Sequence, residues 1–234
     1  MTSPAAAEPA PAEFAGVAPG QRVLDAAGGD GRQVPALAAR GARVVLLDRS
    51  ADALARADDA VRAAAPRVRA DLAALPFPTA TFDAVLLRAV LHHLADPAVG
   101  LREAARVAKP GGVVVVVDKV PPARAEARAV RNALERLRHR GHVWSYTERE
   151  LANLAAAASL EVESAVAWAD ERPVEEWIAM RGNGPPWDAL LRELLASERV
   201  RRGGAVRIRE APGGAPILEQ TWASLRLRKR KSRP

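Results

Sequence analysis

Short runs rich in valine and leucine, with almost no polar alternation, recur through the first half of the chain. Strands with one face in water are not written that way; strands buried on both faces are. The runs are RVLDA (Arg22 to Ala26), ARVVLLD (Ala42 to Asp48), RVRA (Arg67 to Ala70), FDAVLLR (Phe82 to Arg88) and GVVVVVD (Gly112 to Asp118). Helical stretches at Gly31 to Arg40, Ala51 to Ala65 and Pro97 to Ala108 separate them. Strand-helix-strand repetition joined by right-handed crossovers predicts a doubly wound α/β fold around a parallel sheet. After Asp118 the texture changes: a helix from Ala123 to about Arg140, then a capping box of Thr147 and Glu150 opening a helix through Ala158. A strand LEVESAVAW (Leu160 to Trp168) and two helical pieces follow, and ILEQTWASLRLR (Ile217 to Arg228) alternates like a partly exposed edge strand.

Ligands of doubly wound sheets sit beyond the carboxyl ends of the strands, so the residues after each strand carry the functional signal. The first strand runs into Asp25-Ala26-Ala27-Gly28-Gly29-Asp30-Gly31, where glycine permits positive φ and close backbone approach to a ligand. The second ends on Asp48, a carboxylate suited to the two hydroxyls of a ribose. The third is followed by Asp71-Leu72, an acceptor for an exocyclic amine beside an apolar surface for a purine. One nucleoside across three strand ends accounts for all three. A dinucleotide would call for G-x-G-x-x-G under its pyrophosphate. Here Gly29 and Gly31 are followed by Val34 rather than glycine, and Asp25 and Asp30 repel a pyrophosphate while suiting an ammonium group. S-adenosylmethionine fits these residues better.

The segment from Val23 to about Asp118 resembles the class I S-adenosylmethionine-dependent methyltransferases, in particular the small-molecule branch that includes ubiquinone and menaquinone biosynthesis methyltransferases. VLDAAGGDG stands at that family's D-x-G-x-G-x-G loop, and VVLLDRS at its second-strand acid. RADLAALPFPTATFDAVLLRAVLHHLADPAVGLREAARVAKPGGVVVVVD follows its D-A-x-x-L-P-F, F-D, L-H-H and L-R-P-G-G pattern. The likeness continues loosely to about residue 228. It implies a Rossmann-like, mostly parallel seven-stranded sheet with an antiparallel last strand. It also implies that Gly29 and Gly31 approach the methionine moiety, with Ala27 beside its carboxylate end and Asp25 holding its amino group. Asp48, with Arg49 next to it, takes the ribose; Asp71 and Leu72 take the adenine, and Arg88 lies near the cofactor. The chain departs from the pattern at Ala27, where the family usually has glycine, and in the roughly 20 residues before the first strand, where the family usually has one or two closing helices.

Methyl transfer from a sulfonium rests on alignment and exclusion of water, and needs a base only when the acceptor must lose a proton. The candidate bases are His92 and His93, after the fourth strand, and His142, in the turn with Trp144 and Tyr146; Asp118 also faces the acceptor side. A structural role for the histidine pair is the competing reading. All five tryptophans and the single tyrosine lie beyond residue 143, as acceptor walls or as core. The absence of an N/D-P-P-Y/F motif at LRAVLHH disfavours amino-methylation of nucleobases.

With no cysteine in 234 residues, disulfides, thiolate metal sites and cysteine nucleophiles are excluded; no metal is expected, and the cytoplasm is the expected location. The net charge of +7 is concentrated at the end, where Arg226, Arg228, Lys229, Arg230, Lys231 and Arg233 leave only +1 for the rest. The expected organisation is a disordered or short N-terminal segment (1–20), a methyltransferase domain (21–228) divided into a cofactor half (21–118) and a substrate-facing half (119–228), and a basic tail (229–234). The expected enzyme methylates an oxygen or carbon of a small molecule, as a monomer or homodimer, without specific nucleic acid or membrane span. The alternatives are an RNA or protein methyltransferase recruited by the tail, and a non-catalytic cofactor-binding protein.

Overall fold

A computed structural model describes residues 7–180 and 184–230. The elements are α1 (Pro11–Phe14), β1 (Arg22–Ala26), α2 (Val34–Ala39), β2 (Arg43–Asp48), α3 (Ala51–Ala55), α4 (Asp59–Ala64), β3 (Arg67–Arg69) and β4 (Phe82–Arg88), then a 3₁₀ turn at Leu91–His93. They continue with α5 (Pro97–Val107), β5 (Ala108–Lys119), α6 (Ala125–Arg138), α7 (Glu148–Ala157), β6 (Leu160–Pro173), α8 (Val174–Ala179), α9 (Pro185–Ala196), α10 (Glu198–Arg202), β7 (Arg207–Glu210) and β8 (Pro216–Lys229). One sheet runs in the order β3-β2-β1-β4-β5-β8-β6, with β7 paired to β8. The first five strands are parallel and β8 is antiparallel to both its neighbours. The strand order reverses between β1 and β4, which opens a crevice at their carboxyl ends.

The valine run of β5 shows why these strands lack polar alternation. Val114 and Val116 pack into one core with Leu101 of α5 and Leu151 of α7. Val113, Val115 and Val117 pack into the other, with Val34 and Leu37 of α2 and Val61 of α4. Both faces are dry, and each buried aliphatic side chain contributes about 1.5–3 kcal/mol. A third core joins α6, α8, α9 and β8 through Leu134, Trp177, Leu191 and Leu218.

Several expectations are corrected. The single helix expected from Ala51 to Ala65 is two, because the Asp58 carboxylate accepts from Val61 N at 2.8 Å and starts α4 afresh. The strand Arg207–Glu210 adds to the expected set, since RIRE has no apolar run, so among the described residues the sheet has eight strands rather than seven. The last strand, expected at an edge, lies inside the sheet: both its ladders are filled, by β5 and β6, while β6 is the edge. Alternation reports which faces of a strand are wet and carries no information about its hydrogen-bonding edges.

Before β1, the segment expected to be disordered or short packs onto the sheet: Ala12, Ala15 and Val17 are buried in the core, while residues 1–6 lie outside the described residues. The basic end is largely part of the fold. Arg226 and Arg228 both pair with Glu163, at 2.8 and 2.6 Å, and Arg230 pairs with Glu161 at 2.6 Å. Lys229, still within β8, donates to Ala108 O at 2.7 Å; Lys231 and Arg233 lie outside the described residues. Among the described residues no helix is long and apolar enough to cross a membrane.

Candidate active site

At the carboxyl end of β1, Asp25 is 1% exposed and neither carboxylate oxygen has a hydrogen-bond partner among the described residues. A buried carboxylate normally has its lone pairs satisfied. Burial, reinforced by Asp48 and Asp30 and opposed by Arg88, pushes its pKa up to about 7. The next turn passes directly over it. A Cβ at Gly28 would overlap the Asp25 carboxylate and lie 2.6 Å from Leu46 Cδ1, so only glycine fits. The turn reverses through residues of positive φ, Ala27 at 60°, Gly29 at 62° and Gly31 at 86°. Ala27 is the one with a Cβ to strain. The turn is tied to β2 by Asp48, whose Oδ2 accepts from Gly29 N at 2.9 Å and whose Oδ1 accepts from Ser50 N at 2.8 Å.

This cradle fits the cofactor expected from the sequence: an unsatisfied buried carboxylate beneath a glycine turn matches an ammonium group. The other expected cofactor residues are placed as follows. Arg49 is exposed. Asp71, also exposed, accepts from Ala73 N at 2.8 Å, and Leu72 is buried with Cδ2 toward Gly100 of α5. Asp30 is held at the surface by Arg32. Arg88, ending β4, is claimed by a residue that sequence reasoning missed: Glu8 receives Nε at 2.9 Å and Nη2 at 2.8 Å. The guanidinium also lies over the Trp222 ring, which stacks on Trp168 at 5.4 Å. Trp168, Trp222 and Trp177 are thus core residues, whereas Trp144 and Tyr146 are partly exposed beside the histidines.

The four histidines, distant in sequence as 92/93 and 139/142, share one cluster. Ring centroids are 4.0 Å apart for His92 and His93, 5.5 Å for His92 and His142, and 4.9 Å for His93 and His139. The turn after α6 is fastened there, because Val143 N and Trp144 N both donate to His92 O. His92 is 3% exposed, and Asp118, at the end of β5, takes its Nδ1–H on Oδ1. Burial opposes ionisation of Asp118, but the His92 ring and the Lys119 amide outweigh it and hold the carboxyl below the usual range. In the neutral ring this bond places the proton on Nδ1 and the lone pair on Nε2.

His142 is fixed in the opposite tautomer. Asn132 Nδ2 donates to Arg128 O and its Oδ1 accepts from Ser145 N, so the Oδ1 that lies 2.8 Å from His142 Nε2 can only accept. Nε2 carries the proton and the buried Nδ1 has no partner. His93 donates from Nδ1 to Gly141 O at 2.8 Å. Burial and neighbouring positive charge depress His93 and His142 to about 3, so both are neutral at pH 7. Among the described residues no group of three or more histidine or acidic side chains is arranged to hold a metal. A 180 Å³ cleft lined by Asp83, Lys109, Gly112 and Arg226 lies at the opposite ends of the strands, away from these groups.

Beside this cluster sits a buried ionic group that the sequence did not disclose. Glu135 of α6 accepts from Lys119 at 3.0 Å, Arg131 at 3.0 Å, Arg138 at 2.8 Å and Gln220 at 3.1 Å. Its only sequence trace is that Arg131, Glu135 and Arg138 fall at spacings of four and three, on one helix face.

Comparison with known proteins is consistent with this geometry. Residues 24–116 match the family model described as a methyltransferase domain. A demethylmenaquinone methyltransferase of Mycolicibacterium paratuberculosis is 33% identical over 195 residues, covering 80% of this chain and 78% of its own. The YcgJ protein of Bacillus subtilis superposes with a TM-score of 0.83 at 23% identity, covering 94% of this chain and 97% of its own. Geranyl diphosphate C-methyltransferase of Streptomyces coelicolor, solved with S-adenosyl-L-homocysteine, gives 0.62 at 16% identity, covering 93% and 78%.

Proposed function

Because this chain belongs to the class I S-adenosylmethionine-dependent methyltransferases of the quinone-biosynthesis type, we propose that it methylates an oxygen or carbon of its small-molecule acceptor by in-line displacement, with His92 as the base. The observation that carries the reading is the presence of the orphaned Asp25 carboxylate and an Asp118–His92 couple at the carboxyl ends of β1 and β5, on either side of β4.

When bound, the cofactor supplies a methyl group on a sulfonium. The residues of the chain do the rest. Asp25 holds the ammonium end, Gly28 keeps the turn against that carboxylate, and Asp48 fixes the turn while facing the ribose. Arg49, Asp71 and Leu72 border the nucleoside, and Arg88 lies at the methionine end. Asp118 keeps the His92 lone pair on Nε2 and stabilises the imidazolium formed when Nε2 takes the acceptor's proton. His142, by its buried Nδ1, and His93 line the same wall. A quinone, or the hydroxylated ring of its reduced form, is the acceptor type that the relatives named demethylmenaquinone methyltransferases support. The enzyme works as a monomer or homodimer without a nucleic-acid partner; engagement of Arg226, Arg228, Lys229 and Arg230 inside the fold supports this over recruitment by a tail.

Titration calorimetry with S-adenosylhomocysteine tests the site: binding by the wild type and its loss in Asp25→Ala are expected, and a folded wild type that does not bind overturns the reading. Turnover of methyl-labelled cofactor on a panel of hydroxylated aromatics, followed by mass fragmentation, assigns transfer to oxygen or carbon.

A further inference from the structure

Three cations, Lys119, Arg131 and Arg138, converge on one carboxylate, Glu135, with side chains only 12, 9, 5 and 1% exposed. Among the described residues no second carboxylate bonds these three side chains: Gln220 completes the set on Glu135, Arg138 also donates to Trp177 O at 3.4 Å, and Asp118 bonds Lys119 only at its backbone N–H. Three cationic side chains thus share one directly bonded carboxylate. Buried charges persist when paired, and an uncompensated one costs several kcal/mol. Stacking of Arg131 and Arg138 on Trp177, at 5.4 and 4.5 Å, offsets part of this. Donors are nevertheless left over, because Arg138 Nε and Trp177 Nε1 are buried without a partner. Burial lowers the pKa of Lys119 and of Arg131, so both cations are held under electrostatic tension that a further anion would relieve.

The position of the group is informative. Lys119, the least buried cation of the group, donates its backbone N–H to Asp118 at 2.8 Å, and its charge acts on Asp118, His93 and His142, so the group borders the Asp118–His92 couple. Resting on the methyltransferase reading above, we propose that Lys119, Arg131 and Arg138 receive an anionic group, a carboxylate or a phosphate, carried by the methyl acceptor. Arginine supplies the planar double donor that such oxyanions favour, and Lys119 supplies a point charge at the rim. Glu135 gathers the three cations and competes with a second anion for them, leaving donors over for a carboxylate or a phosphate.

The test is calorimetric titration of the full chain, saturated with S-adenosylhomocysteine, with sodium benzoate and with inorganic pyrophosphate in separate arms. The stronger arm identifies the oxyanion class. Binding of one of them, weakened about tenfold or more by Lys119→Met and by Arg131→Gln, is expected. Glu135→Gln, which removes the internal competitor, is expected to tighten it, a gain that a purely structural network would not produce. If Arg131→Gln does not fold, Lys119→Met at the rim and the opposite response of Glu135→Gln still decide. Absence of binding in both arms, or affinities that ignore Lys119→Met and Glu135→Gln, overturns the proposal even when S-adenosylhomocysteine binds. If S-adenosylhomocysteine fails to bind while benzoate or pyrophosphate responds to these variants in the cofactor-free protein, the anion site stands and the methyltransferase reading falls.

Discussion

Asp118 grips His92 at two atoms, accepting the ring Nδ1–H on one carboxylate oxygen and the His92 backbone N–H on the other, at 3.2 Å. The double contact fixes ring orientation and tautomer together, leaving Nε2 as the basic atom. Asp118→Asn keeps the shape and removes the charge. It is expected to lower kcat by about a hundred- to ten-thousandfold with S-adenosylhomocysteine affinity unchanged, as read by steady-state kinetics beside calorimetry. Equal losses in both measurements would assign Asp118 to the fold rather than to proton transfer.

Asp25 makes stability and binding depend on pH. Above pH 3.8 the unfolded residue is ionised, whereas the folded one keeps its proton up to about 7. Between these values the native state binds more protons, so this contribution is complete at low pH and is lost as pH rises to about 7. His93 and His142, depressed to about 3, act oppositely: their contribution is complete above pH 6.5 and is lost on acidification. The difference between wild type and Asp25→Asn isolates the carboxyl, and denaturant titrations should show the wild type losing up to about 4 kcal/mol relative to the variant from pH 4 to 8.

The same group couples cofactor binding to protons. An ammonium beside Asp25 favours the carboxylate, so at pH 6 binding of S-adenosylmethionine should release close to one proton, roughly the protonated fraction of a group titrating near 7. Calorimetry in buffers of differing ionisation enthalpy measures this directly. Buffer-independent heats would place the ammonium elsewhere.

Two adjacent positions in the turn should respond in opposite directions. Gly28→Ala drives a methyl into the Asp25 carboxylate and Leu46, and is expected to abolish S-adenosylhomocysteine binding and lower Tm. Ala27→Gly relieves an L-residue held at φ 60°, and is expected to raise stability in urea by about 0.5 kcal/mol, the left-handed strain less the added freedom of an unfolded glycine.

Asp48 is already bonded to the Gly29 amide and to Ser50 N, so its carboxylate shapes the turn besides its proposed place at the ribose. Asp48→Ala should weaken S-adenosylhomocysteine by about 1.5–3 kcal/mol, the value of a charge-assisted hydrogen bond, and speed hydrogen exchange at Gly29. Weaker binding with unchanged exchange would confine Asp48 to the ligand.

The parts of the site that were legible in the sequence are those set by local rules. Asp25, the turn at residues 27–31 and Asp48 follow directly from strand ends, and a parallel sheet brings strand ends together without further information. The strands themselves were legible because β5 writes its two dry faces as uninterrupted valine. Asp71 and Leu72 were read from their place after the third strand; in the fold Asp71 bonds Ala73 N and Leu72 packs toward Gly100, contacts that a turn aspartate and a core leucine also make without a ligand.

The remainder depended on distance. His92 meets His142 across 50 residues because the turn after α6 hydrogen-bonds to the His92 carbonyl, and no periodicity records that closure. Arg88 meets Glu8 across 80 residues, and β8 slots between β5 and β6 because ladders, not side-chain alternation, choose a strand's neighbours. The sequence by itself therefore determined the layered α/β frame and the carboxylates placed at its strand ends, since hydrophobic period and turn chemistry act within a few residues. Only the tertiary structure decided which ring nitrogen of His92, His93 and His142 is engaged, which carboxylate is left unsatisfied and where buried positive charge collects. Those properties belong to the summed field and hydrogen bonds of groups that meet only after the chain has closed.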